Sequence, residues 1–206
     1  NALPLFILHL NMSINEKTNI ETFCPTNRID WRKWLKKNHQ TKQSVWLVCY
    51  TKKSNQPTVN WSETVDEALC FGWIDSTRKT IDEFSFMQFF SKRKPNSTWS
   101  KINKEKVQKL IDNGLMSQAG LDIIETAKQN GSWTILDEVE ELKIPNDLEK
   151  AFKKHKGSKD YFLSLSKTVR KMMLQWLVLA KRPETRQKRI NEIAEQAGQN
   201  KKPKQF

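Results

Sequence analysis

Cysteine and histidine are scarce in this chain. Its 206 residues include three histidines and three cysteines, which are Cys24, Cys49 and Cys70. The cysteines form no CxxC pair and their number is odd, so no complete disulfide framework is possible and a cytoplasmic location is expected. The histidines lie far apart, without the spacing of metal ligands. The sequence therefore predicts no metal, no cofactor and no histidine-based catalytic triad.

Long hydrophobic runs are missing as well. The apolar run in "NALPLFILHLNM" is about eight residues long, whereas a membrane-spanning helix needs roughly 20. This segment also lacks the basic start and the small-residue cleavage site of a signal peptide. Asn1 and Ala2 are typical of the scar of a cleaved tag, and Met12 is a more natural start. Residues 1–11 are therefore interpreted as a tag-like or leader-like segment and left out of the functional interpretation.

Acidic residues are few in the last third of the chain. Residues 147–206 contain 16 Lys or Arg and 6 Asp or Glu, a net charge of +10, and the whole chain carries +13. Such an asymmetry indicates an anionic partner, which is nucleic acid, an acidic membrane surface or a phosphorylated ligand. The alternative interpretation is that these charges only solvate the outer faces of helices.

The first half of the chain alternates helical and strand patterns. "IDWRKWLKKNH" has helical spacing, with Asp30 placed to cap the helix. "SVWLVCY" is typical of a strand buried on both faces. "WSETVDEALCFGW" predicts a helix with Ser62 as its N-cap, acidic residues Glu63, Asp66 and Glu67 near its positive end, and Gly72 closing it. Cys70, at the end of that helix, is expected to be a buried hydrophobic residue.

A hairpin follows, and then helices. "WIDSTRKTIDEFSFMQFFSKR" predicts two strands around a turn near Asp82 and Glu83. We therefore expect an α+β fold, a small antiparallel sheet of three or four strands with flanking helices, followed by a helical C-terminal part. The expected domains are an α+β core at residues 12–131 and a basic helical part at residues 132–198. Residues 199–206 are expected to form a disordered tail.

The helical part has three clear patterns. A helix is expected to start at Ser97 or Ser100 and to end at Gly114. In "SKTVRKMMLQWLVLAK" the predicted buried stripe consists of Val169, Met172, Met173, Trp176 and Ala180. Pro183 fits the first turn of a last helix. The residues of that helix expected to face inward are Ile190, Ile193, Ala194 and Ala197. Most of the eight tryptophans are expected in the core.

Several motifs together resemble one bacterial family. "ALCFGWID", "FFSKRKPNSTWSKIN", "LIDNGLMSQAGLDII" with "AKQNGSW", and "LAKRPETRQKRI" are similar, in this order, to the YdeI/OmpD-associated family, also labelled bacteriocin-protection proteins. The resemblance covers the chain from Trp31 to about Ala197. It implies no established reaction, but a role in resistance to antimicrobial peptides and an association with an outer-membrane porin.

The resemblance has further implications and some departures. The N-terminal half is similar to the small α+β domain of YdhG-type proteins, some of which resemble frataxin and are linked to iron handling. The family label also implies a periplasmic location as the alternative to the cytoplasm. Here Ser76 replaces a common glycine after "WID", and "SKR" replaces Thr-Pro before the arginine. The residues Trp73, Asp75 and Arg93 are retained.

Three clusters are candidates for a polar pocket. Asp75 alternates with Trp73 on one strand face and is placed to pair with Arg93 on the hairpin partner, as an acid of raised pKa or as a structural ion pair. Trp99 and Asn103 belong to "STWSKIN", where Asn103 shares a stripe that should be buried. Arg186 is in register with the apolar stripe of the last helix. Arg186 is expected to meet a carboxylate such as Asp75 or Glu184, or to bind phosphate, and Arg182 crowds the same helix start.

These clusters support three hypotheses. The first is a non-enzymatic binding or stress-resistance protein, in which the candidate ligand-binding residues are Trp73, Asp75, Arg93, Trp99, Asn103, Arg182 and Arg186. The second is a nucleic-acid-associated protein that uses basic residues of the C-terminal helices, namely Lys150, Lys153, Lys154, Lys188 and Arg189. The third is an enzyme built around Asp75, and the sequence favours it least. In each hypothesis the partner or ligand is anionic or unknown.

Overall fold

The structure, a computed structural model, describes residues 20–206. The prediction for residues 1–11 lies outside the described residues. The chain folds into two compact units. The first unit consists of the residues up to Arg93 together with residues 115–121. The second unit consists of residues 94–114 and 122–206. The expected domains at residues 12–131 and 132–198 stay a prediction.

A four-stranded sheet forms the centre of the first unit. Its strands are β1 (Thr22–Phe23), β2 (Ser44–Tyr50), β3 (Trp73–Thr80) and β4 (Ser85–Lys92), in the order β1-β2-β4-β3. The pairs β2–β4 and β3–β4 are antiparallel, as expected, and the α+β class is confirmed. β1 pairs parallel with β2, so the sheet is mixed. A strand of two residues is too short to show a sequence period, which is why it was not predicted.

Two helices of the first unit have their N-caps two or three residues before the expected positions. Helix α1 (Arg28–Asn38) is capped by Asn27, whose side chain accepts from the backbone N–H of Asp30, so Asp30 is not the cap. Helix α2 (Trp61–Cys70) is capped by Asn60 rather than Ser62. The side chain of Glu63 completes a capping box with Asn60. Polar residues are adjacent at both helix starts, so composition alone could not select the cap.

Aromatic side chains join these helices to the sheet. The ring of Trp31 lies 5.3 Å from that of Phe90, and Trp34 meets Trp73 edge-on at 5.8 Å. Trp31 Nε1 also donates to the carbonyl of Thr64 at 3.0 Å, which links α1 to α2. Five of the eight tryptophans are buried, which confirms their expected core role: Trp31, Trp34, Trp46, Trp73 and Trp99.

The second unit is helical. Its helices and the shared helix α4 are α3 (Lys101–Asp112), α4 (Gln118–Gln129), α5 (Asp137–Glu140), α6 (Asn146–Phe152), α7 (Ser158–Ser164), α8 (Lys167–Val178) and α9 (Pro183–Gly198). The first turn of α4 belongs to the first unit. Ser100 caps α3 as expected, and Gly114 follows that helix with a φ of 64°.

The core of the second unit forms between α6, α7, α8 and α9. The inward residues of α9 are buried as predicted, but the stripe predicted for α8 was partly wrong. The fully buried residues of α8 are Met173, Leu174 and Leu177, whereas Met172 is 47% exposed. In a run with apolar residues at almost every position, the helical period does not define which face is buried.

The end of the chain contacts this unit. Pro203 is buried, and the ring of Phe206 lies 5.6 Å from that of Trp176. The backbone N–H of Phe206 donates to the carbonyl of Pro203 at 3.0 Å. Pro203 and Phe206, in the segment 199–206 that was expected to be a disordered tail, therefore contact the helical unit in this structure.

Candidate functional site

The "WID" junction of the first unit is mainly buried. Trp73 has no exposed surface, and its Nε1 donates to the carbonyl of His39 at 3.4 Å. Arg93 is only 5% exposed, and burial lowers its pKa to about 10, although the charge of Asp75 partly offsets this effect. Asp75 itself is half-buried. A dissolved ligand reaches Trp73 or Arg93 only if the surrounding side chains move, so this geometry fits a bracing role.

Two neighbouring features shape the backbone of this junction. Gly72 has a φ of 72°, a conformation that favours glycine, and it lets the chain turn from α2 into β3. Beyond Asp75 the pairing of β3 with β4 shifts register, and the side chain of Gln88 donates to the carbonyls of Ser76 and Thr77 at 3.1 and 3.3 Å. Burial raises the pKa of Cys70 to about 11, as expected for a core thiol rather than a nucleophile.

A buried carboxylate in α2 was not identified from the sequence. Glu67 is 2% exposed, and its two oxygens accept from Arg28 Nε at 2.5 Å and from Arg32 Nη1 at 2.6 Å. Arg32 also donates to the carbonyl of Leu115 at 2.8 Å. The sequence placed Glu67 only near the start of a helix. No local pattern distinguished Glu67 from the neighbouring carboxylates Glu63 and Asp66.

In the second unit, Trp99 and Asn103 have different environments. Trp99 is 1% exposed, and its ring lies 4.9 Å from that of Trp133. Asn103 is half-buried, and its backbone N–H donates to the Oγ of the cap Ser100 at 3.3 Å. The buried residues of the same helix are Val107 and Leu110. Asn103 therefore lies at the margin of the stripe that the sequence predicted.

Arg186 forms an ion pair, but its partner is not one that the sequence suggested. Its Nε and Nη2 donate to the two carboxylate oxygens of Asp147 at 2.7 and 3.1 Å, and its Nη1 donates to the carbonyl of Leu177 at 3.1 Å. The expected carboxylates were Asp75 and Glu184. Arg182 lies at the N-cap position of α9 and is exposed.

A cluster of exposed lysines surrounds the turn between α6 and α7. We call it the basic turn; it consists of Lys150, Lys153, Lys154 and Lys156. All four side chains are exposed, and within residues 20–206 none of them forms an ion pair. Lys156 was not among the nucleic-acid residues predicted from the sequence, although it lies two residues after Lys154. Nearby, Lys159 is already paired with Glu149 at 2.8 Å.

The other two predicted nucleic-acid residues, Lys188 and Arg189, lie on α9. Lys188 is exposed, on the same helix face as Glu184, Asn191 and Glu195. Arg189 is half-buried: its Nη1 donates to the carbonyl of Trp176 at 2.5 Å and its guanidinium lies 4.8 Å from the centre of that ring. Arg189 is therefore occupied by contacts inside the unit, unlike the lysines of the basic turn.

Backbone and side-chain hydrogen bonds hold the basic turn in one shape. The hydroxyl of Ser158, which is fully buried, donates to the carbonyl of Phe152 at 3.0 Å across the turn. The N–H of His155 also donates to Phe152, and the N–H of Ser158 donates to His155, both at 3.1 Å. Gly157 makes the turn possible with a φ of 78°. The lysine side chains thus project from a fixed backbone.

Within residues 20–206, two of the open concavities lie elsewhere. One follows the exposed face of α9 and is lined by Glu184, Lys188 and Glu195, among others. The other lies beside α1 and is lined by Phe23, Cys24 and Trp34, among others. Within residues 20–206, we find no group of three His, Cys, Asp or Glu side chains that could hold a metal ion. In the same residues no helix is long and apolar enough to span a bilayer.

Two described families match different parts of the chain. Residues 141–200, which include α6 to α9, match the family described as bacteriocin-protection, YdeI or OmpD-associated. This match confirms the predicted resemblance for that segment. Residues 23–123 match a domain of unknown function, DUF8412, so the predicted similarity of this half to YdhG-type or frataxin-like domains stays a prediction. No curated protein and no solved structure matches the chain.

Proposed function

We propose that the protein is a binding protein of the YdeI/OmpD-associated type that holds an anionic partner at the basic turn. One observation carries this proposal. The basic turn presents four exposed ammonium groups, and none of the four forms an ion pair within the described residues. Other lysines of this unit, such as Lys159 and Lys171, have carboxylate partners at 2.8 and 2.5 Å.

The basic turn concentrates four positive charges in one place. Ammonium groups on one turn repel each other and raise the local positive potential, and an anion that binds there relieves this repulsion. A flexible loop would separate such charges, but the buried hydroxyl of Ser158 keeps this backbone in place. The turn also lies inside residues 141–200, the segment that matches the family. The exposed charge, the fixed backbone and the position within the matched segment together support this surface as the proposed binding site.

The candidate pocket of the first unit is the weaker alternative. Its arginine, Arg93, is 5% exposed and therefore costs more to bring to a ligand than the exposed lysines do. A ligand role for Trp73 has the same difficulty, since Trp73 has no exposed surface. We therefore place the anionic partner in the helical unit.

Heparin chromatography tests the proposal. The variant Lys153→Glu/Lys154→Glu reverses two charges of the basic turn, and Lys52→Glu/Lys53→Glu makes the same change of net charge at exposed residues of the first unit. We expect the wild type to bind to heparin and to need the highest salt for elution. The first variant should elute at clearly lower salt than the second. Equal elution of the two variants would show that only net charge matters and would overturn the proposal.

A further inference from the structure

The end of helix α9 lies beside the basic turn. A Cβ atom added at Gly198 would lie 3.0 Å from the Cβ of His155, so the two residues are in contact. His155 is the central residue of the turn and is flanked by Lys154 and Lys156. Two segments that are more than 40 residues apart in sequence are thus neighbours in the folded unit.

Two further lysines follow the end of α9, where the backbone forms a defined motif. After α9, Asn200 adopts a left-handed conformation with a φ of 56°. The N–H of Asn200 donates to the carbonyl of Ala197 at 3.0 Å, and that of Lys201 donates to Gln196 at 2.9 Å. This pair of hydrogen bonds is the Schellman arrangement that ends many helices. Lys201 and Lys202 are both exposed, and within residues 20–206 neither forms an ion pair.

The residues after these lysines hold them against the unit. Pro203 is buried, and Phe206 packs its ring on Trp176 at 5.6 Å. Arg189 contacts the same indole at 4.8 Å. Lys201 and Lys202 therefore lie between two points of attachment to the unit, the end of α9 and the contact of Phe206 with Trp176.

We propose that the basic turn, Lys201 and Lys202 form one surface that binds the phosphate backbone of a nucleic-acid duplex. This inference rests on the proposed function and names the partner of the same site. Six ammonium groups from two ordered segments match a rigid polyanion with many phosphates better than a single small anion. Each lysine that contacts a phosphate releases a condensed counterion, so affinity should fall steeply with salt.

The composition of the surface argues against two other anionic partners. A small phosphorylated ligand is usually held in a concave site by bidentate arginines, whereas all six of these cations are exposed lysines. A membrane surface usually also takes up apolar side chains. The turn from Lys153 to Gly157 reads "KKHKG" and has none. Lysines without aromatic stacking groups contact phosphates more than bases, so we expect weak dependence on nucleotide sequence.

Fluorescence anisotropy with a labelled 20-base-pair DNA duplex tests the proposal. Binding is measured at several salt concentrations for the wild type, for Lys154→Gln/Lys202→Gln and for the control Lys52→Gln/Lys53→Gln. Each lost phosphate contact should reduce the slope of log K against log salt by about 0.9, so the first variant should lose about 1.8 and bind about tenfold more weakly. The control should keep the wild-type slope. If the single change Lys202→Gln leaves the slope unaltered, the two segments do not act as one surface.

A variant with unchanged charge tests the anchoring. Phe206→Ala keeps every lysine but removes the ring that packs on Trp176, and Gln205→Ala is its exposed neighbour control. We expect weaker duplex binding for Phe206→Ala, by about threefold since one or two contacts become disordered. Equal binding of both variants would contradict the anchored surface.

Parallel measurements distinguish this inference from the proposed function. Heparin and vesicles of phosphatidylcholine with phosphatidylglycerol are used as the other polyanionic probes. Binding to heparin or vesicles through the basic turn without binding to the duplex overturns the nucleic-acid inference and leaves the proposed function standing. Absence of binding to all three probes overturns both.

Discussion

Arg186 and Asp147 form a two-pronged ion pair that joins α9 to α6. The guanidinium places Nε at 2.7 Å and Nη2 at 3.1 Å from the two carboxylate oxygens, and its third nitrogen binds the carbonyl of Leu177 at the end of α8. One side chain thus connects three helices of the same unit. This planar arrangement requires arginine, because a lysine ammonium cannot reach both oxygens and the carbonyl with fixed geometry.

Replacement of Arg186 should therefore destabilise the helical unit. We expect Arg186→Ala to lower the free energy of unfolding by about 1–2 kcal/mol and Arg186→Lys to recover less than half of that loss. The expected loss of stability is modest because the side chains of Arg186 and Asp147 are both partly exposed. Urea denaturation followed by circular dichroism measures it. Full recovery by Arg186→Lys would contradict a role for the forked geometry.

The same pair gives a specific dependence on pH. Burial raises the pKa of Asp147, but the hydrogen bonds and charge of Arg186 outweigh it, so the pKa lies below its ordinary value. The stability that Asp147 contributes is therefore complete above the unfolded-state pKa of about 3.9, and it is lost as the pH falls through the lower folded-state pKa. Asp147→Asn should differ most from the wild type at pH 7 and least below pH 3. An equal difference at both pH values in urea titrations would exclude this linkage.

Glu67 should be more important for stability than its sequence context suggests. Glu67→Gln keeps the volume but removes the charge that Arg28 and Arg32 share at 2.5 and 2.6 Å. We expect a loss of about 1–3 kcal/mol, less than for a fully buried pair because the arginines are partly hydrated. Glu105→Gln, at a residue whose side chain is 59% exposed, should change stability by less than about 0.5 kcal/mol. If Glu67→Gln and Glu105→Gln both have small effects, the ion pairs of Glu67 with Arg28 and Arg32 contribute no net stability.

Gly120 should not tolerate a side chain. Alanine normally stabilises a helix interior by about 1 kcal/mol relative to glycine. Here an added Cβ would lie 2.3 Å from the carbonyl oxygen of Cys70, an atom that also accepts from Ser117 Oγ at 2.7 Å. Gly120→Ala should therefore destabilise by about 1–3 kcal/mol in thermal or urea unfolding. Gln129→Ala, at an exposed residue of the same helix, is the control and should have little effect. A stabilising Gly120→Ala would refute the close contact.

The three cysteines should differ in reactivity. Burial raises the pKa of Cys70 to about 11 and, together with the nearby Cys24, that of Cys49 to about 12. Both thiols are therefore protonated and shielded at pH 8. Cys24, although its pKa is also raised by burial, is only half-buried. Iodoacetamide with mass spectrometry should label Cys24 first and the other two only in denaturant. Early labelling of Cys70 in the folded protein would contradict its interpretation as a shielded core thiol.

Local patterns in the sequence predicted much of the fold. The buried strand at Ser44–Tyr50 followed from an unbroken apolar run, and the hairpin of β3 and β4 followed from two strand-like segments around a polar turn. The inward face of α9 followed from a helical period. Their flanking signals, such as Ser100 and Pro183, were equally local. The helix caps at Asn27 and Asn60 were missed because neighbouring polar residues satisfy the same preference.

The sequence by itself determined the α+β class, the order of elements and the concentration of positive charge near the C-terminus. Only the tertiary structure decided which carboxylate meets Arg186, that Glu67 is buried between two arginines, and that the end of α9 lies beside the basic turn. Periodicity and capping depend on residues within one or two turns, and the sequence reports them directly. Contacts such as Gly198 with His155 depend on how helices distant in sequence pack, and no local pattern contains that information.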